Sequence, residues 1–276
     1  MDFHRIDPQY DLERLRQFLS ESDSQDYLLA DLGEWVHSGR LWAGEERGRW
    51  VAFGRLHDLG DGEGWVSGIR VTSRERGHGL GGRLIEGILA DARAIGLSSV
   101  RAVIEEGNLP SRRLFERFGL RPSFELTLRR GLAEKGVSPL RPLGPADVFP
   151  DRVGWIPERT GRSDLLPGAD GGRFGRWQPS LLRRWVAEGK LYGGPDLLAA
   201  VQPDWWVEPR TLWVNPLVGS TSRLFPALGQ LARELDHEEW QAFLPSTEAL
   251  RAEYRSQGAL RHEAWGDKVY LYERLE

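Results

Sequence analysis

The 276-residue sequence contains no cysteine. Disulfides, thiolate metal sites and a cysteine nucleophile are therefore excluded, and with them any route through an acyl-cysteine. Lysine is nearly as scarce: Lys135, Lys190 and Lys268 stand among 37 basic residues, an arginine excess that reads as genomic bias. No run of about 18 apolar residues occurs, and the opening Met1-Asp-Phe-His-Arg-Ile has no signal-peptide core, so a cytoplasmic protein without membrane contact is expected. A formal net charge of −4 argues against wholesale nucleic-acid binding. The six histidines are scattered, and no metal site is expected. What is present is the mix of a soluble globular chain, 28% charged and 40% hydrophobic, long enough for two domains with a core each.

Glycine is plentiful, and it concentrates where a β-like run, Trp65 to Val71, gives way to an amphipathic segment. Between them lies Thr72-Ser-Arg-Glu-Arg-Gly-His-Gly-Leu-Gly-Gly-Arg83. Gly77, Gly79, Gly81 and Gly82 allow the main chain to approach a ligand closely and to reach left-handed conformations. Backbone N–H groups there, from Gly77 through His78 and Leu80 to Gly82, are placed to meet phosphate oxygens, and the N-terminal end of the following helix adds partial positive charge. Arg76 supplies a planar donor fork. The helix is read from Leu80, Leu84, Ile85, Ile88, Leu89, Ala92 and Ile95, with Gly96 as its stop. Gly77-x-Gly79-x-x-Gly82 also satisfies a dinucleotide fingerprint, with Glu105 about 20 residues on in place of the ribose-binding acid. In that fold, however, the first glycine follows its strand at once, whereas here Thr72 to Arg76 intervene.

A second motif separates these readings. Arg76-Gly-His-Gly79-Leu-Gly81 fits R-x-x-G-x-G, and downstream comes Asn108-Leu-Pro-Ser111-Arg-Arg-Leu114-Phe115-Glu-Arg-Phe118-Gly119-Leu120. Together, in order and separation, they resemble the two signature segments of the GNAT superfamily of N-acetyltransferases, over roughly residues 41 to 130. The resemblance implies a mixed α+β fold, each domain a central, mostly antiparallel sheet flanked by helices. The element order agrees. A strand at Phe3 to Ile6 precedes a helix from Pro8 with Leu12, Leu15, Phe18 and Leu19 on one face. An acidic helical region, Ser22 to Ser38, comes next, then strands at Leu41 to Glu45, Trp50 to Leu56 and Trp65 to Val71. The glycine loop and its helix follow, then a strand at Ser98 to Glu105, a helix at Ser111 to Phe118 and a strand at Phe124 to Leu128.

After a linker at 132–138 the order repeats. Thr211 to Leu217 is strand-like, Leu224, Leu228, Leu231 and Leu235 share a helical stripe, and Trp240 to Leu244 is a strand. Ser246 to Gln257 reads as a helix with Ser246 or Thr247 as cap and Gly258 as stop, and Val269 to Tyr272 as a closing strand. This implies two tandem GNAT-like domains, 1–131 and 139–276. The second is degenerate, with Gly219-Ser-Thr-Ser-Arg-Leu-Phe where the first has four glycines, so it is expected to be structural. Trp205, Trp206 and Trp213 read as its core aromatics.

The family resemblance implies acetyl-coenzyme A as cofactor, and direct transfer of acetyl to a small-molecule or peptide amine through a tetrahedral oxyanion. Cofactor contacts would come from Ile69, Val71, Arg76, Gly77, His78, Gly79, Leu80, Gly81, Gly82, Asn108, Ser111 and Phe115, and the Val71 N–H would stabilise the oxyanion. Glu63 is the first candidate base and Glu105 the second; His57 is a weaker one. The position that often carries the family's acidic tyrosine is Phe115 here and Tyr254 in the second copy. Water or another tyrosine such as Tyr27 would have to protonate the thiolate. The acidic stretch Asp23 to Glu34 would suit a cationic amine. Phe115 also favours an alternative, a non-catalytic acyl-coenzyme A sensor. A nicotinamide oxidoreductase is the third reading, and monomer and homodimer stay open.

Overall fold

A computed structural model describes residues 2–22, 26–29, 32, 39–147, 165–167, 173–176, 178–203, 210–263 and 265–275. Among these, strands β1 (Asp2–Arg5), β2 (Arg40–Glu46), β3 (Arg49–Asp58), β4 (Glu63–Val71) and β5 (Ser99–Glu105) are joined by helices α1 (Pro8–Ser22) and α2 (Leu80–Ala94). Next come α3 (Leu109–Arg117), β6 (Arg121–Leu132), β7 (Arg141–Pro142), β8 (Leu165–Pro167), β9 (Phe174–Arg176) and α4 (Pro179–Ala187). The chain continues through β10 (Leu191–Gly194), β11 (Leu197–Pro203), β12 (Thr211–Val218), α5 (Thr221–Glu234), β13 (Glu239–Pro245), α6 (Glu248–Ser256), β14 (Leu260–Arg261) and β15 (Val269–Leu275). Of the expected helical region at 22–38, the described part holds a 3-10 turn at Tyr27–Leu29, and the remainder lies outside the described residues. Trp205 and Trp206 lie outside them as well.

The chain forms two compact units, one of Met1–Ile104, Asn108–Ser123 and Tyr272–Glu276, the other of Glu105–Gly107 and Phe124–Leu271. The sequence assigns the Phe124 to Leu128 strand to the first half and the Val269 to Tyr272 strand to the second. The structure instead exchanges their ends: most of β6 belongs with the later elements, and the end of β15 with the earlier ones. Strand pairing is a long-range property, and nothing in the local pattern of either strand names its partner.

In the first unit β1 to β4 pair antiparallel and in order, and β4 pairs β5 parallel. Helix α2 buries Leu80, Leu84, Ile85, Ile88, Leu89 and Ala92, as the 3.6-residue spacing requires. Each large apolar side chain so buried contributes about 1.5–3 kcal/mol. Glycines mark where α2 lies close to the sheet: a Cβ on Gly54 would meet Leu84 and Ile88, and one on Gly87 would meet the Trp42 indole. On α1, Leu15, Phe18 and Leu19 are buried.

The second unit repeats this design. Strands β10, β11 and β12 pair antiparallel, β12 pairs β13 parallel, and β13 pairs β6 antiparallel. Helix α5 brings Leu224, Phe225, Leu228 and Leu231 into one core with Leu212, Val214, Trp240, Leu244 and Tyr254. Thr247 caps α6, its side chain accepting from the Leu250 N–H at 3.2 Å. The expected stripe and cap are therefore in place, and Trp213 is a buried aromatic packed against Phe243 with the ring planes tilted by 38°. No helix among the described residues is long and apolar enough to cross a membrane.

Candidate functional site

Strand β4 is built to part from β5. The parallel ladder has three rungs, Glu63↔Ser99, Gly64↔Val100 and Trp65↔Arg101, although β4 runs on to Val71 and β5 to Glu105. On its other edge β4 carries a bulge. Arg70 opposes Phe53 and Ser67 opposes Arg55, so Gly68 and Ile69 together face Gly54. Gly68 takes φ +67°, the left-handed conformation that the extra residue of such a bulge needs. The bulge bends β4 and opens its far edge where the ladder stops. The Ile69 side chain turns inward over Gly54.

Val71 ends this open stretch. The Thr72 N–H donates to the Val51 carbonyl at 3.0 Å, so Ala52 and Val71 form a non-hydrogen-bonded antiparallel pair. The polar groups of Val71 therefore point away from β3, to the side where β5 has parted. Its carbonyl accepts from Arg76 Nε at 3.2 Å, which folds the Arg76 side chain back against the strand end.

Eight residues, 72–79, then lead to α2. Ser73–Glu75 forms a 3-10 turn, Gly77 sits at φ +84°, and Gly79 is the α2 N-cap at φ +78°. A Cβ on Gly77 or Gly79 would meet nothing within 4 Å, whereas one on Gly81 would press the Leu114 side chain and one on Gly82 the Arg117 and Phe118 side chains. The four glycines thus divide: 77 and 79 shape the loop, and 81 and 82 let α3 pack against α2. Among the described residues, the N–H groups of Gly79, Leu80 and Gly81 have no acceptor, while those of Gly82 and Arg83 return to the Gly79 carbonyl. These are orphan donors of a helix start, aimed outward together. His78 is exposed, its Nδ1 3.7 Å from Glu75.

The second motif forms α3. Asn108 is its N-cap, accepting from the Ser111 N–H at 3.2 Å, and Leu109-Pro110 opens the helix. The motif's asparagine therefore acts first as a helix cap. Phe115 is buried. A phenol does reach α3, from a residue the sequence did not single out: Tyr272, midway along β15, is fully buried, accepts from Arg112 Nε at 3.1 Å and donates to Glu116 Oε1 at 2.8 Å. Burial holds its pKa above the ordinary phenol value, with Glu116 adding to the rise and Arg112 opposing it, so the proton stays on. Only the non-local placement of β15 brings it there, and no local signal could have found it.

The candidate bases are corrected. Glu63 and Val71 lie at opposite ends of β4, about 26 Å apart at ~3.3 Å per residue. Glu63 is 3% exposed and ion-paired to the fully buried Arg101, which also donates to Glu273 at 2.6 and 3.0 Å and to Ser99 at 2.9 Å. A carboxylate so buried and paired is a structural charge, not a base at the open edge. Glu105 belongs to the other unit, where its Oε1 accepts from the Gly266 N–H at 2.9 Å. His57 is a β3 residue opposite Trp65, near the same closed end of β4 as Glu63. The Tyr27 side chain lies outside the described residues. Of the acidic stretch, Asp26 is buried and held by Arg70 at 2.7 Å, so its charge is already matched.

The second half keeps the parting and loses the cradle. Its parallel ladder also has three rungs, Thr211↔Glu239, Leu212↔Trp240 and Trp213↔Gln241. Only Gly219 and Ser220 connect β12 to α5, and the Thr221 hydroxyl in the first turn donates to Glu253 Oε1 at 2.6 Å. A carboxylate therefore stands at this helix start, where it repels a pyrophosphate. The Tyr254 hydroxyl donates to the Pro245 carbonyl at 2.9 Å inside the core.

Comparison with known proteins agrees with this geometry. Residues 8–120 match the acetyltransferase (GNAT) family. No curated protein matches the sequence. Among solved structures, a proposed acetyltransferase from Thermoplasma acidophilum is similar over 100% of both chains, with a TM-score of 0.66 and 16% identity. A GCN5-related N-acetyltransferase from Sphaerobacter thermophilus covers 99% of this chain and 95% of its own, with a TM-score of 0.61 and 14% identity. A tandem GNAT protein from the clavulanic acid biosynthesis pathway covers 99% and 98%, with a TM-score of 0.59 and 12% identity. At these identities the likeness is one of fold, and it runs the length of the chain. Residues 8–120 thus carry the match to the acetyltransferase (GNAT) family, and the likeness of fold to a tandem GNAT structure continues through the second half.

Proposed function

We propose that the N-terminal half binds acetyl-coenzyme A along the open edge of β4 and passes the acetyl group directly to a primary amine on a small molecule or peptide. The observation that carries this reading is the early stop of the β4–β5 ladder after three rungs, past which the Gly68 bulge and an unpaired edge lead to Val71. A thioester-bearing arm fits such an edge as an added strand would, through main-chain hydrogen bonds. The bound cofactor supplies an acetyl group activated as a thioester. The N–H groups of Gly79 to Gly81, with the positive end of α2, would take pyrophosphate oxygens, and Arg76, held by Val71, would add charge. The Val71 N–H would donate to the carbonyl oxygen that gains negative charge, an interaction worth about 10²–10³ in rate at comparable sites. Tyr272, a protonated phenol of β15 held against the helix that carries Phe115, is the proposed proton source for the leaving sulfur.

The test is release of free thiol from acetyl-coenzyme A across a panel of amines. Thiol release with one amine class, lost in Gly79→Trp, supports transfer. The buried Phe115, which has no hydroxyl, favours one competing reading, an acyl-coenzyme A sensor. Micromolar binding with no thiol release across the panel would favour that sensor.

A further inference from the structure

A buried arginine of the C-terminal half, Arg129, lies on β6. Thr127 and Arg129 are two residues apart on this strand and therefore share a face. Their partners on β13, Leu244 and Ala242, are fully buried, so that face looks into the core. Thr127 is 0% exposed and Arg129 is 1% exposed. Among the described residues, Arg129 Nε, Arg129 Nη2 and Thr127 Oγ1 have no hydrogen-bond partner. A buried guanidinium lacking hydrogen bonds on one edge is costly when no acceptor replaces water. That edge, Nε with Nη2, is the one that grips a carboxylate or phosphate with two parallel bonds.

The surroundings have the wrong sign to satisfy it. Asp267 is the one carboxylate in ion-pair range of Arg129 among the described residues; its Oδ1 is 3.6 Å from Nη2, beyond hydrogen-bond length, and its side chain is 53% exposed. The buried fork is therefore one carboxylate away from solvent. Arg261 opposes Arg129 across β14 and stands 4.0 Å from Asp267. Burial above all, with smaller contributions from Arg255 and Arg251 on α6 and from Arg261, holds the Arg129 pKa below the ordinary arginine value against the pull of Asp267. Arg251 is shared with Glu125 and Ser246, and Lys268 with Glu125. Among the charges acting on Arg129, three arginines thus stand against one carboxylate. The fold does not demand this. At the matching places in the N-terminal half, three before and one after the aromatic of the signature helix, Arg112 and Glu116 hold a neutral phenol.

We propose that Arg129, with Thr127, Arg255 and Arg261 around it, forms a site in the C-terminal half for a small oxyanion, the carboxylate or phosphate group of a metabolite. This site is separate from the cradle and does not rest on the acetyl-transfer reading. Asp267 competes for the same fork, so its removal opens the site.

The experiment titrates inorganic phosphate and, separately, acetate into the full-length protein at constant ionic strength, following heat and thermal midpoint. Saturable binding of one probe is expected, weakened at least tenfold in Arg129→Met and several-fold in Arg261→Ala, and tightened several-fold in Asp267→Asn. Phosphate binding alone points to a phosphate ester, acetate binding alone to a carboxylate. Arg261 is exposed, so its variant carries the test should Arg129→Met fail to fold. No saturable binding by wild type or by Asp267→Asn would overturn the proposal. So would an Asp267→Asn variant that loses stability without gaining anion affinity, since Asp267 would then be the built-in partner of Arg129.

Discussion

Replacing Glu63 by Gln removes one charge from a site in which Arg101 is fully buried and the two carboxylates facing it, Glu63 and Glu273, are 4% and 10% exposed at the side chain. Taking one partner from a buried pair costs about 3–5 kcal/mol, because the remaining charge stays desolvated. Gln keeps a hydrogen bond and Glu273 keeps its charge, which places the expected loss near the lower end, about 3 kcal/mol. For a chain of this size that is a fall in thermal midpoint of about 6–12 °C, at roughly 2–4 °C per kcal/mol. Glu63 lies at the closed end of β4, so acetyl-coenzyme A affinity and the pH profile of thiol release are expected to match wild type at a temperature where both are folded. Thermal unfolding by circular dichroism and thiol-release kinetics make the comparison. A variant of wild-type midpoint with thiol release lowered a hundredfold would restore Glu63 as a base and refute the structural reading.

The glycines of the loop should separate by role. Gly79→Ala forces a side chain into φ +78° and is expected to cost about 1–2 kcal/mol, while Gly81→Ala, at a position without positive φ and 3.2 Å from a Leu114 methyl, should be close to neutral by chemical denaturation. Tyr272→Phe should lower the rate of thiol release about a hundredfold with little change in acetyl-coenzyme A affinity, as general-acid loss does; an unchanged rate would remove Tyr272 from the chemistry. Burial holds the pKa values of His237 and His262 below the usual 6.5. The unfolded chain then takes up protons first as pH falls, so stability is full above about 6.5 and declines as pH drops through the folded values. Urea midpoints at pH 7.5 and 5.5 should show that decline, and His262→Gln should reduce it.

The local parts of this account were legible in the sequence. The Leu84, Ile85, Ile88 and Leu89 stripe, the cap at Ser246 or Thr247 and the loss of the glycine loop in the second half all depend on residues close in sequence. What escaped depends on pairing between distant segments. Glu63 reads as an acid at a strand mouth until Arg101, 38 residues on, is placed against it, with Glu273, a further 172 residues on, as the second partner of Arg101. Tyr272 reads as core of the second half until the exchanged end of β15 carries it to Arg112 and Glu116. Arg129 reads as one more surface arginine, since alternation along β6 does not say which face is buried. The division of the four glycines into loop-shaping and helix-packing pairs also needs the position of α3, which the motif spacing leaves unspecified.

The central claim is that the Gly77 to Gly82 cradle and the open β4 edge hold acetyl-coenzyme A. Calorimetric titration of acetyl-coenzyme A into wild type and into Gly79→Trp, with NADH as a control and circular dichroism to establish folding, addresses it most directly. The account predicts micromolar binding to wild type, at least a hundredfold weaker binding to the folded variant, and no heat from NADH. Equal binding by both proteins, or binding of NADH in place of acetyl-coenzyme A, would contradict it.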